Sequence, residues 1–473
     1  MSFYSFGFLF FFFAVWAVVK LLNRADSPRW RNLFLLGASW VFYGLFRLDF
    51  LLWLLLVTVI TYGFGRLIVG CGEARKHFVT GCAVVLTLLP LLFFKYSRFV
   101  CSALRELPGC SGLPFPPESA AWILPVGISF FTFQALSYTI DLCRGKVALE
   151  KDFVALALFV AFFPTVLSGP IEKARELLPQ IKRRRQLDLE GLVEGAHLFI
   201  WGLFKKIVVA DRLAEYVDLV YGSAAGYSGK SIALAAICYS IQIYCDFSGY
   251  SDMAVGVGRA LGFELNRNFD KPYFAVGIRD FWKRWHISLT GWFTEYLYFS
   301  CGGNRVSRLR WIGNIMLVFC VSGLWHGANW NFLIWGALHG VFYLIEYASV
   351  RGRKDVVSGR AAKILVSLST FIAVTFAWIF FRMPDFSSAV RLLARIGTAW
   401  RGPLSVGCST FSFTVMLLTA VFVMAVEFFQ HLRRENPGRC SALAFRRLSF
   451  SVALLWLVEL FGMTGKQFVY FLF

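Results

Sequence analysis

Long apolar runs alternate with short polar loops along almost the whole chain. A helix needs about 20 mainly apolar residues to cross a bilayer. Candidate runs occupy positions 3–22, 32–46, 50–69, 78–94, 120–142, 195–210, 231–245, 312–324, 330–347, 362–381, 411–429 and 448–461. A shorter run, 153–167, ends in Ser168-Gly169-Pro170 and either spans or dips in and returns. The stretch 281–299 mixes Lys283, Arg284, His286 and Glu295 with many aromatic residues. It reads as amphipathic or buried among other helices, not lipid-facing. The pattern predicts an all-α, polytopic integral membrane protein of about 11–12 transmembrane or re-entrant helices. It is read as one membrane domain over residues 1–473, with no internal repeat. The first run has no basic segment before Phe3 and continues to Leu22, so it is expected to be a retained helix and not a cleaved signal.

Composition agrees: of 473 residues, 58% are hydrophobic and 16% charged, against about 25% charged in soluble domains. A net charge of +20 would first point to nucleic acid. The Lys and Arg residues instead cluster in short loops between apolar runs, as cytoplasmic loops do, and no nucleic-acid motif accompanies them. The richest loops are 173–185, 351–363 and 433–447, with Arg305, Arg308 and Arg310 before the run at 312. Placing all four inside is self-consistent and leaves the C-terminus on the outer side. Eleven cysteines are scattered without metal spacing. Cys101 and Cys110 belong to a Pro-rich polar loop read as outside, where an oxidising compartment allows a disulfide between them but so short a loop tends to strain one.

The segment Val321-Ser322-Gly323-Leu324-Trp325-His326-Gly327-Ala328-Asn329-Trp330 interrupts a transmembrane hairpin. At about 1.5 Å per residue, its turn lies about 24 Å from the inner loop. An imidazole at membrane depth is costly and marks a functional site by default. The expected state of His326 is neutral, with a nitrogen able to take a proton. A core histidine bonded to a backbone carbonyl is the plainer reading, but the Gly-rich turn, three tryptophans and the second histidine, His339, weigh against it. Gly323, Gly327 and Asn329 suit a turn.

Two further segments are unusually polar. One runs from Gln242 through Asp246 to Asp252, the other from Phe281 through Arg284, Trp285 and His286 to Leu289. Asp246 and Arg284 are read either as structural partners or as parts of a tunnel wall. Such a wall would hold a phosphate-bearing or thioester ligand near His326, with Gln242, Trp285, Trp325 and Asn329 lining it. Lys283 and Arg284 are the candidate phosphate ligands. His77 and His431 flank basic loops, and their substitution is expected to do little. There is no GxxxxGK[ST], HExxH or GxSxG motif, so the energy for any group transfer must arrive in an activated donor.

Several runs together resemble the membrane-bound O-acyltransferase family, in its alginate O-acetyltransferase branch. They are Leu124-Pro125-Val126-Gly127-Ile128-Ser129-Phe130-Phe131-Thr132-Phe133-Gln134, Phe163-Pro164-Thr165-Val166-Leu167-Ser168-Gly169-Pro170-Ile171 and Gly202-Leu203-Phe204-Lys205-Lys206. The set continues through 244–252, 281–289 and 322–340, making 120–347 the most specific core. The resemblance implies a ring of helices around a central tunnel, with His326 as the catalytic histidine and His286 as a second functional position. It implies acetyl-CoA as donor substrate, no bound cofactor and no metal. It further implies a bacterial inner membrane, an exported polysaccharide as acceptor, and a periplasmic partner acetyltransferase. Asn329 is the candidate oxyanion donor. The related branch that transfers D-alanine from a carrier protein to teichoic acid shares the same motifs and stays open. A proton-coupled transporter is the reading from another class, but no paired inverted halves support it. The chain ends in Phe468-Val469-Tyr470-Phe471-Leu472-Phe473, which is similar to endings in the same branch. This tail is either an interface anchor or, through the phenol of Tyr470, an acyl relay.

Overall fold

A computed structural model describes residues 1–24, 27–105, 123–184, 187–350, 359–434 and 443–463. Cys110 and Tyr470, and so the open question of the Cys101–Cys110 disulfide and the tail's role, lie outside the described residues. The described chain is helical, without strands. Among the described residues, six helices are long and apolar enough to cross a membrane: Leu48–Gly70, Glu73–Leu104, Gly229–Ala260, Trp330–Ser349, Arg360–Arg382 and Thr410–Leu432. Phe6–Leu22 and Ser449–Phe461 are shorter apolar helices. The protein is therefore an all-α, multi-pass membrane protein, with two compact units.

The first unit comprises Met1–Phe199 and Ala254–Asn266. It holds α1 (Phe6–Leu22), α2 (Arg29–Gly44), α3 (Leu48–Gly70), α4 (Glu73–Arg105), α5 (Ile128–Cys143), α6 (Phe153–Ala161), α7 (Ala174–Lys182) and most of α8 (Leu189–Phe204). The open question over 153–167 is settled by length. With nine residues, α6 is about 14 Å long, too short to span. The chain then turns back through 162–172, buried throughout. Non-helical backbone in a membrane must be buried in protein, and polar groups here meet partners. The Gln134 amide donates to the Phe159 carbonyl. Glu172 accepts from the Asn266 backbone N–H at 2.7 Å and from its side-chain amide at 2.8 Å.

The second unit comprises Ile200–Met253 and Arg267–Phe473. From the end of α8 the chain passes through a π-helical turn, Lys205–Ala210, into α9 (Asp211–Gly222) and α10 (Gly229–Ala260). The apolar run 231–245 is only half of α10; Asp246 and Asp252 hide the continuation from a hydropathy reading. The polar–aromatic stretch 281–299 is neither one helix nor amphipathic on a surface. It divides into α11 (Ile278–Arg284), α12 (Ile287–Phe293) and a second π turn (Thr294–Tyr298), with Phe281, Trp282, Trp285 and His286 buried. The hairpin follows as α13 (Arg308–His326) and α14 (Trp330–Ser349), then α15 (Arg360–Arg382), α16 (Phe386–Thr398), α17 (Thr410–Arg434) and α18 (Leu443–Phe461).

Gly323 belongs to α13 itself, not to the turn. A Cβ there would lie 2.1 Å from the Phe332 carbonyl oxygen, and one on Gly336 would lie 2.3 Å from that of Phe319. These two glycines let α13 and α14 approach backbone to backbone, as small residues do between membrane helices.

Candidate active site

The site lies wholly in the second unit. His286 stands between α11 and α12 in the left-handed region, at φ 43°. Only Lys271 shares a positive φ among described non-glycine residues. A non-glycine residue held there costs free energy and persists where its surroundings impose it. Here Asn268 imposes it. Its carbonyl accepts from the Ile287 N–H at 2.8 Å, and its side-chain oxygen accepts from the Ser288 hydroxyl at 2.6 Å. The Asp270 N–H also donates to the Arg284 carbonyl at 3.0 Å. The corner turns the His286 ring against Phe247 of α10, at 4.6 Å between centroids.

His326 is the last residue of α13. Its ring is packed by Trp325 at 5.0 Å, Trp335 at 5.2 Å and Phe381 at 5.3 Å. The His286 and His326 rings lie 6.4 Å apart, with Trp325 against both. Residues forty positions apart in sequence and on different elements thus meet, 1% and 3% exposed. Two imidazoles at this separation can both address one small oxygen-bearing group between them.

The other candidate residues part company. Asp246 and Arg284 are not partners: Arg284 pairs with Asp280 at 3.0 Å, one turn back on α11. Asp246 pairs with Lys206 at 2.6 Å, and Lys206 also reaches Asp211 at 2.8 Å. The adjacent Lys205 meets Asp252 at 2.6 Å and the Ser248 hydroxyl at 2.8 Å. The π turn places both lysines toward α10, which an α-helix would not do for consecutive residues. Sequence reasoning named Asp246 as a candidate, but quoted Lys205 and Lys206 only within a family-like run and gave them no role. Two lysines beside an apolar run, with acids one helix later, were the available signal. Gln242 is buried one turn before Asp246 on α10. Trp285 packs with Tyr244, Phe269, Phe281 and Trp378. Asn329 caps α14: its side-chain oxygen accepts from the Asn331 N–H at 3.0 Å, and its amide donates to the Pro384 carbonyl at 2.7 Å.

Removing one partner from a buried ion pair costs about 3–5 kcal/mol. Lys206→Met strands Asp246 and Asp211 beside an apolar side chain. Phe247, next to Asp246, also supports His286. The variant is expected to melt well below the wild type in detergent; an unchanged melting temperature would show that the pair does not hold the fold.

Arg284 belongs to a second feature, a cavity of about 850 Å³ at the end of α14 remote from His326. Arg279, Lys283, Arg284, Lys363 and His431 line it, with Asp280 and Glu346 as its acids. His431 is therefore part of a cavity wall, where sequence reading treated it as a bystander. The Glu346 carboxylate caps α11 through the Ile278 and Arg279 N–H groups, so one α14 side chain ties the cavity to the helix that leads into the His286 corner.

A multi-pass helical protein with paired buried histidines and a separate basic cavity has the makings of a membrane transferase. The membrane-bound O-acyltransferase family model matches residues 35–384, and the chain belongs to that family; it is an O-acyltransferase. It is 38% identical over 398 residues to the protein named "Probable alginate O-acetylase AlgI" of Azotobacter vinelandii, covering 83% of this chain and 77% of the relative. It is 34% identical to the peptidoglycan O-acetyltransferase of Helicobacter pylori, covering 78% of this chain and 74% of the relative. Identity to the teichoic acid D-alanyltransferase of Bacillus subtilis is 27%, covering 65% and 79%.

Proposed function

We propose that this enzyme takes acetyl from acetyl-CoA at the cytoplasmic face of a bacterial inner membrane and passes it across for O-acetylation of an exported cell-surface polysaccharide. A periplasmic partner acetyltransferase makes the final transfer. The observation that carries this reading is the meeting of His286 and His326 in a buried aromatic box of an O-acyltransferase. His326 acts as general base: it takes the proton of an incoming hydroxyl as the oxygen bonds to the acetyl carbon. The carbon–sulfur bond then breaks, and the proton passes to the departing thiolate, leaving the imidazole neutral again. His286, fixed by its left-handed corner, orients the hydroxyl or helps stabilise the oxyanion. Asn329 spends one amide N–H on the Pro384 carbonyl and its oxygen on capping α14; its second N–H is the candidate oxyanion donor. Tyr470, at the outer side, is the first acceptor: acetyl rests on its phenol as an ester before the partner takes it.

Acetyl is favoured over D-alanine because relatives named for O-acetylation share 34–38% identity with the chain, and those named for D-alanyl transfer 27–29%. The basic cavity supports a donor with a phosphorylated head. A partly exposed ionic contact contributes up to about 1 kcal/mol, roughly fivefold in binding. Replacing Lys283 and Lys363 together by Gln is expected to raise KM for acetyl-CoA several-fold and leave that for acetyl-pantetheine, which lacks the nucleotide phosphates, unchanged. Equal effects on both donors would remove the phosphate role.

The whole reading is tested with purified protein in liposomes and radiolabelled acetyl-CoA. Expected is release of CoA with label retained on protein or acceptor. Release no faster than with a His326→Ala variant would overturn it.

A further inference from the structure

One face of α14 carries Phe332, Trp335, His339, Phe342 and Glu346, spaced three and four residues apart. These positions stack along a helix. Sixteen residues separate Trp330, beside the His326 turn, from Glu346 on the cavity wall, a rise of about 24 Å. Phe342 lines the cavity and touches His339, at 6.0 Å between rings. His339 meets the edge of Trp335 at 4.9 Å, and Trp335 meets His326 at 5.2 Å. This face therefore leads from the basic cavity to the candidate catalytic histidine.

Midway, the chemistry changes. His339 is fully buried, and neither ring nitrogen has a hydrogen-bonding partner among the described residues. The same holds for the indole N–H of Trp282 and of Trp335. The three rings touch one another, at 5.0 Å for Trp282 and His339, 4.9 Å for Trp335 and His339, and 5.9 Å for the two tryptophans. Buried polar groups are hydrogen-bonded in the great majority of cases, and leaving one unpaired is unfavourable. Four such nitrogens on three mutually packed rings are an expensive arrangement for a core that phenylalanines would fill as well. Phe281, stacked on His339 at 6.1 Å, shows what an inert neighbour looks like here.

We propose that Trp282, Trp335 and His339 form a hydrogen-bonding cage for the amide-bearing arm of the thioester donor, between the basic cavity and His326. The indole groups donate to amide or thioester carbonyls, and the neutral imidazole offers one donor and one acceptor, the latter for an amide N–H. The ligand class follows from the donor set: two N–H donors and one amphoteric ring suit a chain of secondary amides and do not suit a bare hydrocarbon. A cage at this depth sets how far the thioester reaches toward His326. This inference rests on the thioester-donor reading above and adds the residues that would grip the donor's middle.

The test compares three donors on the full-length protein in liposomes: acetyl-CoA, acetyl-pantetheine and ethyl thioacetate, which has no amide. His339→Phe keeps an aromatic ring and removes both nitrogens. Wild-type kcat/KM is expected to favour acetyl-pantetheine over ethyl thioacetate, and the variant to shrink that preference about tenfold through KM. Trp282→Phe, which removes a single N–H, is expected to shrink it about threefold. A packing role for His339 would instead lower turnover of all three donors alike, and that result overturns the cage, as does an unchanged preference in both variants. If His339→Phe fails to fold, the Trp282→Phe preference decides. Wild-type protein that accepts none of the three thioesters would overturn the donor reading itself; wild-type use of acetyl-CoA with an unaltered preference in the variants overturns the cage alone.

Discussion

His326→Ala is expected to lower acetyl transfer by about 10²–10⁴-fold, with protein still present in the membrane. The ring sits among Trp325, Trp335 and Phe381, so truncation also opens a hole, and inactivity of this variant alone would be ambiguous. His326→Gln removes the ambiguity: it keeps most of the volume and the hydrogen-bonding capacity but accepts no proton at neutral pH. Both variants should be similarly inactive, while thermal melting separates Ala, which loosens the box, from Gln, which does not. Near-normal turnover by His326→Gln would end its assignment as base. His286→Ala should lose less, because in this reading it orients or stabilises and does not take the proton.

Tyr470→Phe carries the second largest expected effect. The substitution keeps the ring, its size and its affinity for an interface, and removes one oxygen. An aromatic anchor tolerates that change within about 1 kcal/mol. A covalent relay does not, because phenylalanine has nothing to acylate. Polysaccharide acetylation in cells should therefore fall almost to background, while thioester cleavage by the purified variant, with water in place of the phenol, continues slowly. Label from acetyl-CoA should appear on a C-terminal peptide of the wild type and be missing from the variant. Wild-type acetylation by Tyr470→Phe would leave the tail as an anchor and remove the relay. The described tail root lends the idea a fixed base: the Met463 N–H donates to the Ile207 carbonyl at 2.9 Å, and Arg212 donates to the Phe461 carbonyl at 2.8 Å. The π turn that carries Lys205 and Lys206 thus also holds the end of α18.

Local pattern alone was enough for the class of the protein. Apolar runs are continuous in sequence, and hydropathy over a window of about 20 residues is what a bilayer responds to, so a polytopic helical chain was readable without coordinates. His326 was readable for the same reason: an imidazole amid apolar residues is conspicuous. Gly323 and Gly336 were visible too, but their role as a backbone crossing between α13 and α14 needed both helices in place.

What the tertiary structure decided is everything that depends on partners distant in sequence. Hydropathy cannot see that Asp246 will meet Lys206 across a π turn, or that Arg284 will turn to Asp280 and the cavity. A charge's partner is chosen by packing geometry, not by composition. The left-handed corner at His286 is invisible for a similar reason: its backbone is forced by Asn268, eighteen residues earlier. The same holds for His339, which is one more histidine in an apolar run until Trp282 and Trp335 close around it. The sequence by itself determined a multi-pass helical membrane protein with a histidine among apolar residues. Which side chains surround that histidine was decided by the fold, because burial energy selects faces and registers of helices that no single segment contains.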